Sequence, residues 1–169
     1  MKRLRYIFLL ALLGVCALNS CIGEKRPPVN LEVGDKVPEF SVVTSGGEVV
    51  SNAGLMGSVS CIVFFHTSCP DCQKTLPEVQ KIYDEYLPQG VKFILISREQ
   101  EEDEIEPYWK ECGYTMPYAP QKTRDVYEKF AQSRIPRVYI CDKNGIIKAI
   151  FTDNPNPSYS DIKSAIESL

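Results

Sequence analysis

A single histidine, His66, is present among the 169 residues, which excludes a site built from several histidines. No second Cys-x-x-Cys or Cys-x-x-His motif accompanies Cys69 and Cys72, so the ligand set of a structural zinc site is incomplete. Lysine and arginine are scattered rather than clustered, which argues against a nucleic-acid partner. The sequence also lacks internal repeats and signs of a second domain. We therefore expect one globular unit without a metal.

The apolar run at residues 6–18 is shorter than the ~20 residues that a comfortable membrane-spanning helix needs. It follows a basic start at Lys2, Arg3 and Arg5. A basic segment followed by a short apolar segment is typical of an export signal. We predict that residues 1–20 are a signal peptide.

The predicted signal ends in Leu18-Asn19-Ser20-Cys21, which resembles the bacterial lipobox, although Asn19 is a less usual residue there. The resemblance implies that Cys21 receives lipid after cleavage. Several acyl chains would anchor the protein stably, because each buried CH₂ contributes ~0.8 kcal/mol. Residues 21–30 are interpreted as the lipidated cysteine and a tether. We expect an exported protein, lipid-anchored in the bacterial cell envelope and facing the periplasm. The alternative is a plain secretory signal whose cysteine is incidental.

Beyond the signal and the lipid site, five cysteines remain: Cys61, Cys69, Cys72, Cys112 and Cys141. Because five is odd, at least one thiol stays unpaired in the monomer. Cys61 and Cys141 lie in predicted core strands, and Cys112 lies on an apolar helix face. We predict that these three are buried free thiols, because unpaired cysteine behaves as a small apolar residue. An exported location is oxidising, so the remaining pair can be redox active.

The hydrophobic pattern predicts one α/β domain over residues 31–169. Strands are predicted at 40–44, 48–51, 60–65, 91–97, 137–141 and 146–151. Helices are predicted at 70–87, 105–112 and 125–132, and from an N-cap at Ser160 to the C-terminus, with residues 114–121 irregular. The central strand–helix–strand order requires a parallel pair, and the hairpin at Asn144-Gly145 adds antiparallel strands. The predicted architecture is a mixed sheet with helices on both faces.

Cys69 and Cys72 directly follow the predicted strand at 60–65 and open a helix. Cysteines at positions i and i+3 of a first turn lie on one side of the helix and can form a small disulfide ring. Cys69 lies at the helix N-terminus, where free N–H groups and the dipole favour a thiolate. Pro70 suits the first helical position. Asp71 lies between the cysteines, and its negative charge disfavours the thiolate.

This motif resembles the thioredoxin superfamily. Pro77, eight residues after Cys69, falls where that family has a helix-kinking proline, and Ile135-Pro136 falls where it has a cis-proline. The interval from Cys69 to Pro136 is longer than in thioredoxins. With the N-terminal hairpin and the tether, it resembles the TlpA/ResA group of extracytoplasmic oxidoreductases. The resemblance implies a thioredoxin-like fold with a helical insertion before the cis-proline, and no cofactor besides a redox-active Cys69–Cys72 disulfide.

The resemblance also implies a thiol-disulfide oxidoreductase that reduces protein disulfides and is itself reduced by an electron donor of the envelope. Cys69 would attack the substrate, Cys72 would resolve the mixed disulfide, and the backbone at Ile135 and Pro136 would pair with the substrate. The buried acid of thioredoxins aligns with Val63, and their tryptophan before the first cysteine is Ser68, so the proton route differs. His66, three residues before Cys69, is a candidate proton relay; the alternative is a half-exposed histidine at a strand end.

Two other functions are consistent with the sequence. A peroxiredoxin shares the hairpin and the insertion, but its peroxidatic motif resembles Pro-x-x-x-Thr-x-x-Cys. Here Ile62 and His66 hold the proline and threonine positions, and Thr67 is one residue out of register. The other alternative is a lipid-tethered, non-catalytic binding module in which Cys69 and Cys72 form a structural bridge that resists mild reduction.

Overall fold

The computed structural model of the protein describes residues 30–169. The predicted signal peptide, Cys21 and all of the tether except Asn30 lie outside the described residues. Within residues 30–169, no helix combines the length and the apolar character needed to cross a membrane.

The described residues form short strands and helices that alternate along the chain. The strands are β1 (Ser41–Val43), β2 (Val49–Ser51), β3 (Ser60–Phe65), β4 (Lys92–Ser97), β5 (Tyr118–Ala119), β6 (Arg137–Cys141) and β7 (Ile147–Phe151). The α-helices are α1 (Asn52–Leu55), α2 (Pro70–Tyr86), α3 (Glu102–Cys112) and α4 (Tyr159–Glu167), with 3₁₀ turns at Leu87–Gln89 and Tyr127–Lys129.

The central sheet has the strand order β5-β4-β3-β6-β7. Strands β3, β4 and β5 are parallel to one another, whereas β6 is antiparallel to β3 and β7 is antiparallel to β6. Strands β1 and β2 form a separate antiparallel hairpin. This arrangement confirms the predicted mixed sheet and N-terminal hairpin. Between β4 and the cis-proline lie α3, β5 and the second 3₁₀ turn.

Strand β3 lies at the centre of the sheet, and all six of its residues are buried. It is apolar without alternation because both faces of the sheet are covered. Phe64 packs against Phe130 at 4.8 Å between ring centroids, and Phe65 packs against Trp109 at 4.9 Å. Successive strand residues point to opposite faces, so these two contacts belong to two core layers. The cysteine motif therefore begins where the central, fully buried strand ends.

Helix α2 begins at Pro70 and packs an apolar face of Leu76, Val79 and Ile82 into the core. The helix contains Pro77 and is followed by a 3₁₀ turn that ends at a left-handed Gly90, φ 88°. Glycine adopts this conformation without steric cost, so the predicted end of the helix is confirmed within about one residue.

Helix α4 packs beside α2, and partly buried polar side chains of the two helices contact each other. The Tyr86 hydroxyl donates to Glu167 at 2.8 Å, and the Lys163 ammonium lies 2.9 Å from Glu85. These contacts fix the end of α2 that is remote from the cysteines.

Three predicted elements differ from the structure. Residues 114–121 contain β5, a two-residue strand that is too short for an alternating pattern to reveal it. The helix predicted at 125–132 is only a 3₁₀ turn. The N-cap of α4 is Ser158 rather than Ser160, because Ser158 exchanges hydrogen bonds with Asp161, three residues later.

The prediction for the three additional cysteines is confirmed for two of them. Cys61 and Cys141 are buried free thiols. The prediction for Cys112 is wrong, because that thiol is exposed. It is the last residue of α3, whose buried positions are Ile105 and Trp109, and the three residues that follow Trp109 in the helix are all exposed.

Candidate active site

Cys69 and Cys72 lie where β3 gives way to α2. Cys69 is the N-cap residue of the helix, with its N–H donating to the His66 carbonyl at 3.1 Å. Cys72 lies in the first turn and is buried, whereas Cys69 is half-buried. Both are free thiols in this structure. The predicted pair is therefore at the predicted place, with one sulfur reachable from solvent and one covered.

Burial raises the pKa of the Cys72 thiol far above its ordinary value of 9.0. The backbone N–H of His66 and, more weakly, the positive charge of Arg98 act in the opposite direction without offsetting the burial. Cys72 therefore holds its proton at neutral pH. The two cysteines differ in accessibility, although they are only three residues apart.

Ile135 and Pro136 face the accessible sulfur. The Cys69 Sγ lies 3.6 Å from the Ile135 carbonyl oxygen, and the Ile135–Pro136 peptide bond is cis, which confirms that part of the prediction. The preceding residue, Arg134, has φ 71°, and its carbonyl accepts a hydrogen bond from the Tyr127 hydroxyl at 2.6 Å. The Tyr127 hydrogen bond thus holds the backbone at this point next to the accessible sulfur.

Asp71 is ionised and bound from two sides. Its carboxylate accepts hydrogen bonds from the Asn156 amide at 3.0 Å and from the Lys74 ammonium at 2.9 Å. These two contacts, the one from Asn156 most of all, lower the pKa of Asp71. The negative charge expected between the cysteines is present, and Lys74 partly compensates it.

His66 is half-buried at the end of β3. Its Nδ1 accepts a hydrogen bond from the Ser68 backbone N–H at 3.1 Å and lies 3.0 Å from the Ser68 hydroxyl. The histidine thus braces its own loop, and its role as a proton relay stays a prediction. Val63, at the position of the thioredoxin acid, is fully buried among apolar residues of the sheet.

Sequence reasoning missed two buried polar residues beside the motif. Thr67 and Gln100 are 8% and 3% exposed, and they bind each other through two hydrogen bonds. Gln100 precedes the acidic start of α3, a segment whose composition is typical of a solvated surface. Nothing in that local composition indicates that one amide is buried.

A family model described as "AhpC/TSA family" matches residues 33–150. Among curated proteins, the thiol-disulfide oxidoreductase ResA of Geobacillus thermodenitrificans is 25% identical over 169 residues, which cover 100% of this chain and 94% of that protein. ResA of Bacillus cereus is 24% identical over 141 residues, which cover 83% and 82% of the two chains.

Solved structures share the architecture. The thioredoxin domain of a thiol-disulfide oxidoreductase from Bacteroides vulgatus superposes with a TM-score of 0.71 at 21% identity, covering 82% of this chain and 98% of that one. A thioredoxin-family thiol:disulfide interchange protein from Chlorobium tepidum gives a TM-score of 0.70 at 22% identity, covering 83% and 98%. At these identities the similarity is one of fold.

Proposed function

The chain belongs to the AhpC/TSA family, and we propose that it reduces protein disulfides outside the cytoplasm through its Cys-Pro-Asp-Cys motif. It is a thiol-disulfide oxidoreductase, as are the ResA proteins that it resembles over most of their length. One observation carries the proposal. The Cys69 sulfur is accessible and lies 3.6 Å from the Ile135 carbonyl, while the Cys72 sulfur is buried one turn further along α2.

In the first proposed step, the Cys69 thiolate attacks one sulfur of a substrate disulfide. A bond forms between Cys69 and that sulfur, the substrate S–S bond breaks, and the other substrate sulfur leaves as a thiolate that takes up a proton. The backbone beside Ile135 and Pro136 holds an extended substrate segment during this attack.

In the second step, Cys72 loses its proton and attacks Cys69. The Cys69–Cys72 disulfide forms, the mixed disulfide breaks, and the substrate is released with two thiols, having gained two electrons. A dithiol donor of the envelope would return the pair to the reduced state. Closing the Cys69–Cys72 disulfide needs no large movement of the backbone, because residues three apart in a helix are neighbours.

No carboxylate is buried within residues 30–169, and Val63 stands at the position of the thioredoxin acid, so the proton of Cys72 needs another acceptor. We propose that His66 relays this proton. Its backbone N–H already favours the Cys72 thiolate, and its ring lies in the same connection between β3 and α2.

The proposed location is the periplasmic side of the cell envelope, with the chain attached to the membrane by lipid on Cys21. The basic start, the short apolar run and the lipobox-like residues 18–21 support this location. Protein thiols and disulfides would be its substrates there.

Trapping with single variants tests the function. Cys72→Ala should accumulate a stable mixed disulfide on Cys69 when mixed with an oxidised protein substrate, because nothing resolves it. Cys69→Ala should trap little and lose exchange activity. Both variants should carry Cys112→Ser, because the exposed Cys112 thiol could form unrelated adducts. Adducts are identified by mass spectrometry of the cysteine peptides.

Three results would contradict the proposal. Adducts on Cys69→Ala instead of Cys72→Ala would reverse the roles of the two cysteines. A wild-type disulfide that resists mild dithiol reduction, with no adduct in either variant, would favour the non-catalytic binding module. Rapid consumption of hydrogen peroxide without disulfide reduction would favour the peroxiredoxin.

A further inference from the structure

Thr67 lies two residues before Cys69, and its polar groups are bound by two glutamines. Its backbone N–H donates to Gln100 Oε1 at 3.0 Å, and its hydroxyl oxygen accepts a hydrogen bond from Gln100 Nε2. Its carbonyl accepts a hydrogen bond from Gln73 Nε2 at 2.8 Å. The connection between β3 and α2 is therefore held on one side by the helix and on the other by the loop that follows β4.

Gln100 is itself held tightly. Its backbone N–H and carbonyl pair with the backbone of Gln121 at 2.8 and 3.0 Å, and its carbonyl also accepts from the Ser97 hydroxyl at 2.8 Å. The residue before it, Glu99, has φ 60°, a left-handed conformation that is unfavourable for a residue with a Cβ. Such a conformation persists where the surroundings over-determine it. The bend at Glu99 brings the Gln100 amide beneath the cysteine loop.

A primary amide suits this position because one end must accept a hydrogen bond and the other must donate one. Gln100 is 3% exposed, so neither bond can be replaced by bulk water without opening the loop. The Cys69 N–H donates a hydrogen bond to the His66 carbonyl and so closes a tight turn. The Thr67 peptide lies inside this turn. Holding the Thr67 peptide in place therefore also holds Cys69 in place relative to the end of β3.

We infer that Gln100 is a positioning residue, which holds the Thr67 peptide so that the Cys69 sulfur stays opposite the Ile135 carbonyl. This inference rests on the proposed function, in which Cys69 is the attacking thiol. Gln100 contacts neither sulfur, and it acts through the loop that it binds. Its removal should alter the reactivity of Cys69 without touching either cysteine.

The test compares Gln100→Met with Gln121→Met. Both replace a glutamine with an unbranched side chain, but the Gln121 side chain binds only the Pro120 carbonyl and does not reach Thr67. We expect Gln100→Met to slow protein disulfide exchange by about ten- to a hundred-fold, the scale of a displacement near 1 Å. It should also shift the pH profile of Cys69 alkylation by iodoacetamide, measured on the Cys69 peptide. Gln121→Met should keep both wild-type values.

A second pair of variants decides the matter if Gln100→Met does not fold. Thr67→Val removes the hydroxyl that Gln100 Nε2 binds and leaves the peptide N–H, whereas Thr67→Ser keeps both. Slower alkylation of Cys69 in Thr67→Val than in Thr67→Ser supports the inference. Equal alkylation rates in this pair, or a wild-type pH profile in folded Gln100→Met, would overturn it.

Alkylation requires no disulfide substrate, and this separates the two ideas. If the wild type reduces disulfides while the Gln100 and Thr67 variants match it in every rate, only the positioning role fails. If the wild type shows no disulfide exchange, the proposed function fails, and the alkylation comparison still reports whether Gln100 places Cys69.

Discussion

Two pairs of cysteines lie on the same framework of strands and have opposite properties. Cys61 and Cys141 lie inside the sheet, on the neighbouring strands β3 and β6, and both are completely buried. Cys69 and Cys72 lie just beyond the end of β3, and one of them is reachable from solvent. All four are free thiols, so the contrast comes from position alone.

The geometry of the sheet keeps Cys61 and Cys141 apart. Cys141 is directly opposite Ser60, and Cys61 is directly opposite Ile140. Opposite residues share a face of the sheet and successive residues alternate, so the two thiols point to different faces. Side chains that point apart cannot be bridged without moving the backbone. Burial also raises the pKa of both thiols, that of Cys141 to about 12.

Cys69 and Cys72 are not subject to the alternation between sheet faces, because the chain leaves the sheet at the end of β3 and starts a helix there. Positions i and i+3 of α2 bring the sulfurs of Cys69 and Cys72 to one side, and the N-cap position exposes the first. The position at a strand end, rather than the cysteine content, makes one thiol of this pair accessible. Three predictions test this conclusion.

The largest expected effect separates the pairs by activity. Cys69→Ala should reduce disulfide exchange to the uncatalysed rate and leave the stability close to that of the wild type. Cys61→Ala and Cys141→Ala should keep the exchange rate and lower the free energy of unfolding by about 1 kcal/mol, because each removes one well-packed buried atom. Exchange assays and urea unfolding of the three single alanine variants measure both quantities. Loss of exchange in a folded Cys61→Ala would abolish the distinction.

The end-of-strand position could be predicted because its signals are local. An unbroken apolar run marks β3, and Pro70 marks the start of α2 in the sequence itself. The cis bond before Pro136 followed from the spacing of the family motif. Each of these depends on residues within one or two turns, or on a register that the family resemblance supplied.

The remaining features depend on contacts between distant segments. The bond between Gln100 and Thr67 requires β4 to lie beside β3 and the chain to bend at Glu99, which no local pattern encodes. Cys112 is exposed because α3 extends beyond the part of the core that covers it. The apolar periodicity of the helix continues past that point, so it does not reveal where the cover ends. Local pattern gives the direction of a side chain around its helix, while the neighbours decide whether anything covers it.

The second prediction concerns pH and the buried thiols. The pKa values of Cys61, Cys72 and Cys141 are raised on folding above the ordinary value of 9.0. Above that pH the unfolded chain releases protons that the folded chain retains, so stability falls as pH rises. The stabilisation is fully present below pH ~9 and should then decline by up to about 1.4 kcal/mol per pH unit for each thiol. Urea unfolding of the reduced protein at pH 8, 9 and 10 measures this decline.

Variants and oxidation sharpen this test. Cys61→Ala and Cys141→Ala should each show a shallower decline than the wild type, because one buried titrating group is absent. Oxidation of Cys69 and Cys72 to a disulfide should also flatten the decline, because Cys72 no longer titrates. The measurements should not go above about pH 10, because tyrosines begin to ionise there and would add to the decline. Identical declines in all these forms would show that the sheet thiols are not held protonated by burial.

The smallest expected effect lies within the reactive pair. Asp71→Asn removes a negative charge next to Cys69 and should speed alkylation of Cys69 at pH 7 by about two- to five-fold, the range expected for one partly screened charge at the surface. Lys74→Gln removes the cation 2.9 Å from the Asp71 carboxylate and should slow the same reaction. Both side chains are largely outside the core, so neither change should alter the unfolding midpoint noticeably. Alkylation rates from mass spectrometry of the Cys69 peptide, measured at two salt concentrations, check the sign and its screening. Rates that move in the same direction in both variants would mean that the charge of Asp71 does not act on Cys69, and that the helix N-terminus alone sets its reactivity.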